Sequence, residues 1–264
     1  MACTCSLCVI KGCLWIVPPE GRFNVIRDDG YLKEYASKAI SNKFCSYCGT
    51  GVLGQHLVGP TRGQTMVNIR AIQGVNPFQI ESNITTIETE DERDRQEPAS
   101  SELSAPHVFS CHCGNLRVEL DVSIHDQEFK EDNCSLCVRN AYIGVYPTKD
   151  QARVHGREHS FEYYGIKAES TGRRWSSTVY CQTCGVFTLS VIYGPPINVF
   201  DKLAPERKAH ALEVYYKNIN LLPLNVRALK GFQTRLFPKS IDIQRSDEGT
   251  EGYKELLEPW RGGD

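Results

Sequence analysis

The spacing of the cysteines is the feature that most constrains how this chain folds. The 264-residue sequence has twelve cysteines, and all but Cys13 fall in short clusters. Such C-x-C and C-x-x-C pairs place two thiolates on one metal ion, because a tight turn brings the sulfurs to tetrahedral separation. The spacing therefore predicts bound zinc rather than disulfides. The clusters are Cys3-x-Cys5-x-x-Cys8, Cys45-x-x-Cys48, Cys111-x-Cys113, Cys134-x-x-Cys137 and Cys181-x-x-Cys184.

The sequence also contains an internal repeat. CTCSLCVIKGCLWIVPPE matches DNCSLCVRNAYIGVYPTK, FCSYCGTGV matches YCQTCGVFT, and MVNIRAIQGV matches PLNVRALKGF. A duplication of this kind predicts two copies of one structural unit. Between the copies, TTIETEDERDRQEPASSELSAP is poor in large apolar residues and is typical of a solvated linker. We predict a first module at 1–81, a linker at 82–106, a second module at 107–240 and a C-terminal tail at 241–264.

Composition and charge limit the partners and the compartment. A hydrophobic content of 41% and a charged content of 23% are ordinary for a globular protein. The formal net charge of −2 gives no electrostatic reason to expect nucleic acid or an anionic membrane as a partner. No apolar run approaches the ~20 residues that span a bilayer. The amino terminus lacks a basic region followed by an apolar stretch, so we expect the cytosol or the nucleus rather than secretion.

The local patterns predict a mainly β fold. VFSCHCGNLRVELDVSI alternates around its C-x-C, and TVYCQTCGVFTLSVIYG has the pattern of a hairpin with a C-x-x-C in its turn. Short β-rich runs follow the cysteine motifs in both copies, and LNVRAL predicts another strand. Convincing helical periodicity occurs at about 204–219, APERKAHALEVYYKNI, as an insertion into the second copy.

Together these motifs resemble the glutathione-dependent formaldehyde-activating enzyme family, which includes centromere protein V. The matching motifs are C-x-C-G, [CD]-x-C-S-x-C, Y-C-x-x-C-G-V and a late N-[IV]-R, covering about 1–80 and 107–236. The resemblance implies two Mss4-like β-tent zinc modules, each with a structural zinc and a second zinc linked to catalysis. It also implies carbon–sulfur bond formation or cleavage on thiol adducts, as when formaldehyde joins glutathione.

Carried over to this sequence, the resemblance assigns two sites. In the second module, Cys111, Cys113, Cys181 and Cys184 would bind the structural zinc, and four thiolates leave no position for substrate. In the first module, Cys3, Cys5 and Cys8 would bind the catalytic zinc, because three protein ligands leave one position open. On a strand, His112 would point away from its two cysteine neighbours, so we do not expect it to be a ligand.

Each copy departs from the family pattern in one place. The first copy lacks an upstream C-x-C-G, which leaves Cys45 and Cys48 without evident metal partners. We expect a truncated amino terminus; the alternative is that Cys13 or a water completes a weaker site. The second copy has Asp132 before Cys134 and Cys137.

Two interpretations of Asp132 stay open at this point. Either its carboxylate completes a modified open site, or the second copy has lost its catalytic metal and is a structural partner. The sequence favours loss, because a carboxylate is a harder and weaker zinc ligand than a thiolate.

The sequence thus leaves two functions open. The first is a zinc-dependent carbon–sulfur lyase or synthase that acts on glutathione or another small thiol adduct. The second is a non-enzymatic zinc scaffold that binds a protein partner. The sequence has no long basic tail, so nucleic-acid binding draws little support.

Overall fold

The chain folds mainly into β-strands, which confirms the mainly β fold predicted from the sequence. The computed structural model describes residues 1–89, 106–232 and 242–246. Most of the predicted linker and most of the predicted C-terminal tail lie outside these residues. Below, residues 1–89 are the first half and residues 106–246 the second half. Among the described helices, none is both long enough and apolar enough to cross a membrane.

The first half forms a five-stranded sheet and a short parallel pair. The sheet has the strand order β2-β6-β5-β4-β3, and β1 pairs in parallel with β7. Two 3-10 helices, Ile69–Ala71 and Pro77–Asn83, follow the sheet. The elements are β1 Ala2–Cys3, α1 Ser6–Lys11, β2 Trp15–Ile16, β3 Leu32–Ala36, β4 Ile40–Cys45, β5 Gly51–His56, β6 Thr65–Asn68 and β7 Thr86–Ile87.

The second half forms a seven-stranded and a three-stranded sheet. Their strand orders are β13-β14-β15-β16-β11-β10-β17 and β12-β9-β8. The elements are β8 His107–Ser110, β9 Arg117–Leu120, β10 Phe129–Asp132, α2 Ser135–Asn140, β11 Ile143–Val145, β12 Ala152–His155, β13 Ser160–Tyr163, α3 Ile166–Thr171, β14 Ser176–Cys181, β15 Phe187–Ile192, α4 Pro205–Ile219, β16 Leu224–Asn225 and β17 Ile243–Ser246.

The two halves share one strand order. The run β11-β16-β15-β14-β13 in the second half has the same order as β2-β6-β5-β4-β3 in the first. Each C-x-x-C hairpin has a register shift just before its first cysteine, at Lys43/Phe44 and at Val179/Tyr180. The parallel pair β1–β7 has its counterpart in the parallel pair β10–β17. The sheet of β12, β9 and β8 has no counterpart among the described residues of the first half.

Two predicted elements differ from the structure. The C-x-C segment lies in the turn between β8 and β9 rather than in a strand, because the Gly114 amide donates to the Cys111 carbonyl and closes the turn. The N-x-R motif leaves the strand after its asparagine. The Asn68 side chain accepts the backbone N–H of Arg70 at 3.3 Å, which starts a 3-10 turn. The helix predicted at about 204–219 is confirmed as α4, which begins with a proline at its first position.

Residues from the predicted linker and tail extend both halves. Thr86–Ile87, inside the predicted linker, forms β7 and pairs with the first strand of the chain. Ile243–Ser246, inside the predicted tail, forms β17 and pairs with β10. In each half, a further strand therefore follows the N-x-R motif and pairs in parallel with an earlier strand of the same half.

The halves pack through the ends of their first helices. Gly12 ends α1 and Ala141 ends α2, and both residues have positive φ, +59° and +48°. A Cβ placed on Gly12 would lie 2.2 Å from the Cβ of Ala141, so the two helix ends are in contact. The buried core is continuous across this contact, since Leu7 and Trp15 belong to the same apolar cluster as Val179.

Two half-buried arginines cross this contact in opposite directions. Arg70 of the first half donates to the Gly12 carbonyl at 2.8 Å and to the Val138 carbonyl of the second half at 3.1 Å. Arg227 of the second half donates to the Ala141 carbonyl at 2.5 Å and to the Val9 carbonyl of the first half at 3.4 Å. Each arginine thus adds a donor to carbonyls at the ends of both helices, and the Val9 and Val138 carbonyls also accept the backbone N–H groups of Gly12 and Ala141.

Substituting Gly12 tests how closely the two helix ends are packed. Gly12→Ala should lower the free energy of unfolding by about 1–3 kcal/mol more than Gly21→Ala, measured by urea denaturation. Both glycines have positive φ, so the backbone cost is similar, but nothing lies within 4 Å of a Cβ at Gly21. Equal losses for the two variants would contradict this close packing.

Candidate metal centres

The first candidate centre is the four-cysteine group, formed by Cys111, Cys113, Cys181 and Cys184. The four sulfurs lie within 4.8 Å of one another, with Cys113 Sγ 3.6 Å from Cys111 Sγ and 3.5 Å from Cys181 Sγ. Cys111 and Cys113 come from the turn between β8 and β9. Cys181 is the last residue of β14, and Cys184 lies in the turn between β14 and β15. The structure thus brings together all four residues predicted for the structural zinc. Four buried or half-buried thiols at this spacing could hold a metal ion and suit Zn²⁺.

The thiols of this group shift one another's pKa values in opposite directions, so that some ionise more readily and others less readily. Contact with the Cys111 thiol lowers the pKa of Cys113 to about 7 and also lowers the pKa of Cys181. Contact with the other thiols of the group raises the pKa of Cys184, and burial raises it further. The Leu116 N–H donates to Cys111 Sγ at 3.2 Å. A bound cation would remove this conflict, because zinc binding requires every ligand thiol to be deprotonated.

A buried lysine lies beneath both C-x-x-C turns. Lys11 Nζ donates to the carbonyl of Gly185 at 2.7 Å and to that of Gly49 at 3.4 Å, and only 8% of the residue is exposed. Burial lowers the pKa of Lys11, while the nearby thiols oppose that shift. Its charge is therefore placed to offset the negative charge of thiolates in these turns. This role could not be predicted from the sequence, since Lys11 and Gly185 are far apart along the chain.

The second candidate centre is the amino-terminal group, formed by Cys3, Cys5, Cys8 and His56. The sulfurs of Cys3 and Cys8 and a ring nitrogen of His56 lie within 4.8 Å of one another. The Cys5 thiol contacts those of Cys3 and Cys8. All four residues are at most 3% exposed. The sequence predicted the three cysteines but missed His56, which is brought to them by the end of β5.

Hydrogen bonds to sulfur surround the amino-terminal group. The Cys5 N–H donates to Cys3 Sγ at 3.4 Å, and Trp15 Nε1–H donates to Cys8 Sγ at 3.1 Å. The hydroxyl of Thr89, a residue of the predicted linker, lies 3.3 Å from Cys3 Sγ. Contacts with the Cys5 and Cys8 thiols lower the pKa of Cys3, whereas burial raises the pKa of Cys8. These donors stabilise negative charge on sulfur, as in buried metal–thiolate sites.

The third candidate centre is the aspartate group, formed by Asp132, Cys134 and Cys137. Their donor atoms lie within 4.8 Å of one another, and the two sulfurs are 3.1 Å apart. Asp132 Oδ1 accepts the backbone N–H of Cys134 at 3.2 Å, which fixes the carboxylate beside the start of α2. Contact with the Cys137 thiol lowers the pKa of Cys134. All three residues are half-buried, so this group is more open to solvent than the other two.

Cys45 and Cys48 lie in the turn between β4 and β5. Among the described residues, no third histidine, cysteine or acidic side chain completes a metal-binding group with them. Contact with the Cys45 thiol lowers the pKa of Cys48 to about 5. Cys13 is buried elsewhere in the core, and burial raises its pKa to about 11. The metal role predicted for Cys45 and Cys48 therefore stays a prediction.

His112 joins the halves instead of entering the four-cysteine group. Its Nε2 lies 2.9 Å from Ser6 Oγ, and its Nδ1 lies 2.9 Å from the Tyr35 hydroxyl. Both ring nitrogens are thus engaged by residues of the first half, although both neighbours of His112 are cysteines of the group. The expectation that His112 is not among the four clustered donors agrees with this geometry.

Comparisons with known proteins give little further information. No family model and no curated protein match this chain. A crystal structure of a Rhodobacter sphaeroides protein, solved in a structural genomics programme, is similar over 53% of this chain and 99% of its own, with 19% sequence identity and a TM-score of 0.36.

Proposed function

We propose that this chain is a tandem protein of the glutathione-dependent formaldehyde-activating enzyme and centromere protein V type, and that it makes or breaks a carbon–sulfur bond in a small thiol adduct. Its fold would be two Mss4-like β-tent modules, the second carrying α4 as an insertion. The tandem arrangement is supported by the strand order that the halves share and by the reciprocal contacts of Arg70 and Arg227.

The observation that carries the proposal is the half-buried aspartate group with three donors. A zinc ion held by Asp132, Cys134 and Cys137 would keep a fourth position for the sulfur of a substrate such as glutathione, whose thiol pKa it would lower. In the synthetic direction, the substrate thiol would give up its proton and its sulfur would attack the formaldehyde carbon, so that a carbon–sulfur bond forms as the carbon–oxygen π bond breaks. The oxygen would take up a proton to give the hydroxymethyl group, which balances the proton lost by the thiol. The reverse reaction breaks that bond and returns the thiol.

The chain's own residues define what this site can do. Asp132 is held by the Cys134 N–H through one carboxylate oxygen, so its other oxygen is available as a ligand. Leu136 and Cys137 pack against the aromatic cluster of Tyr142, Tyr163, Tyr180 and Phe187, which gives one side of the site an apolar wall. An apolar wall favours a thiol adduct over bulk water and strengthens electrostatic interactions nearby.

This proposal moves the reaction from the site that the resemblance implied. The resemblance implied catalysis at Cys3, Cys5 and Cys8, but these residues are at most 3% exposed. A substrate the size of glutathione reaches a half-exposed group more readily than a fully buried one. The aspartate group is therefore the better candidate for the open site.

Cys134→Ser should abolish turnover without unfolding the protein. We expect kcat/KM for S-hydroxymethylglutathione to fall roughly 100-fold or more, because loss of a ligand costs at least as much as loss of its supporting contacts. Asp132→Cys, which restores the triad of the first copy, should bind zinc more tightly than wild type. Cys48→Ser is the control, a half-buried cysteine outside the three groups. Wild-type turnover in Cys134→Ser would exclude this site.

A second function is favoured by the four-cysteine group, which gathers four donors, and by the amino-terminal group, in which Cys5 contacts two of three clustered donors; both are more buried than the aspartate group. Buried four-donor sites are typical of structural zinc, and they suit a non-enzymatic scaffold that binds a protein partner. Zinc-loaded wild-type protein that turns over no thiol adduct would favour this alternative over the enzyme.

A further inference from the structure

We propose that His56 is the fourth ligand of the amino-terminal group, so that Cys3, Cys5, Cys8 and His56 form a closed Cys₃His zinc site. This inference is independent of the reaction proposed above, because it concerns a different group of residues from the aspartate group. It replaces the open coordination implied by the family resemblance with a structural site.

The ring of His56 is buried with one nitrogen unpaired. His56 is 1% exposed, and its Nδ1 forms a hydrogen bond with Thr61 Oγ1. Its Nε2 is buried and has no hydrogen-bond partner. An unsatisfied buried polar atom is costly and calls for a specific explanation, and an ion is one. Since a ring nitrogen lies within 4.8 Å of two cysteine sulfurs, a cation at their centre supplies the missing partner.

The contact with Thr61 favours the tautomer that a metal needs. Metal-binding histidines almost always donate their second ring N–H to a nearby acceptor, which fixes the ring orientation. With the proton on Nδ1 and donated to Thr61 Oγ1, Nε2 keeps a lone pair with which it can bind a metal ion. The Gly63 N–H also donates to the His56 carbonyl at 2.9 Å, so the backbone at the end of β5 is held in place.

The equivalent position in the second half has no metal ligand. In the first half, His56 pairs across the hairpin with Ile40; in the second, Ile192 pairs with Ser176 in the same register. The aspartate group has three clustered donors and is half-buried, whereas the amino-terminal group has three clustered donors with the Cys5 thiol against two of them, and all four of its residues are buried. The replacement of histidine by isoleucine thus accompanies the difference between the closed and the open site.

A ligand on β5 changes what this metal site connects. Cys3 belongs to β1, Cys5 and Cys8 to the start of α1, and His56 to the far end of the hairpin formed by β4 and β5. The ion would therefore tie the amino-terminal segment to the five-stranded sheet. Binding of this kind contributes directly to folding, since the donors come together only in the native state.

Cadmium NMR of the full chain distinguishes the closed site from an open one. In cadmium-substituted wild type, we expect one resonance typical of four thiolates, from the four-cysteine group, and a second shifted in the direction caused by a nitrogen ligand. His56→Cys should move the second resonance towards the four-thiolate position. His56→Ala should weaken metal binding at that site roughly 100-fold or more.

His107→Ala is the matched control. His107 is also buried with an unpaired Nε2, but it belongs to none of the three groups, so its removal should leave both resonances unchanged. The proposal is overturned if the second resonance is unaffected in His56→Cys, or if His56→Ala keeps wild-type affinity. If His56→Ala does not fold, the wild-type and His56→Cys spectra still decide, because a site without His56 gives the same resonance in both.

Discussion

Cys181→Ser is expected to remove one zinc ion from the protein and to leave most of the chain unfolded. Cys181 is fully buried between the two turns that form the four-cysteine group, and its sulfur lies 3.5 Å from Cys113 Sγ. Structural zinc sites contribute about 10–16 kcal/mol of binding free energy, which is comparable to the entire stability of a typical domain. The loss is measured as zinc content by mass spectrometry and as secondary structure by circular dichroism.

Cys45→Ser is the matched control for this prediction. Cys45 is the residue that aligns with Cys181, and it occupies the same place at the start of a C-x-x-C turn. Among the described residues, Cys45 belongs to none of the groups that could hold a metal ion. We expect its zinc content to be that of wild type and its free energy of unfolding to fall by less than about 1.5 kcal/mol. A loss as large as that of Cys181→Ser would mean that Cys45 holds a metal after all.

Arg70→Met should lower the free energy of unfolding by about 1–3 kcal/mol. Methionine keeps much of the apolar volume of the arginine but removes its donors, which leaves the Gly12 carbonyl without the Arg70 N–H and the Val138 carbonyl with the Ala141 N–H alone. A buried carbonyl left unpaired costs about 1–3 kcal/mol. The measurement is urea denaturation of zinc-loaded protein. Arg153→Met is the control, because this exposed arginine pairs with Glu119 and Asp121 at the surface and should cost less than about 1 kcal/mol.

The double variant Arg70→Met/Arg227→Met tests whether the two arginines act together. Burial lowers the pKa of Arg70 to about 10, and the nearby charge of Arg227 lowers it as well. Removing one arginine relieves this repulsion for the other. The double variant should therefore differ from the sum of the single variants by about 0.5–3 kcal/mol. Strict additivity would show that the two side chains do not interact.

The sequence predicted features that depend on short spacing. C-x-C and C-x-x-C pairs indicate metal binding by themselves. The family resemblance then joined Cys111 and Cys113 to Cys181 and Cys184. The periodicity of 204–219 likewise predicted α4 within a residue of its observed start. The hairpin from β14 to β15 was recognisable from its alternation around Cys181 and Cys184.

Features that depend on distant contacts could not be read from the sequence. His56 is an isolated histidine, and only the register of β5 brings it to the amino-terminal cysteines. In the sequence, nothing distinguishes Lys11 from a surface lysine, and only the fold shows that its ammonium group donates to the Gly185 carbonyl. The C-x-C was predicted on a strand because its flanks alternate, whereas the hydrogen bond that closes its turn leaves no pattern in the residue types.

The crossed arginines give the linker a physical role. Each half receives a guanidinium donor from the other at its own helix end, so the contact resembles a dimer interface whose two sides are covalently joined. For such a pair, the covalent connection sets the local concentration of one half near the other. Association that would otherwise vary with protein concentration then becomes a property of a single molecule.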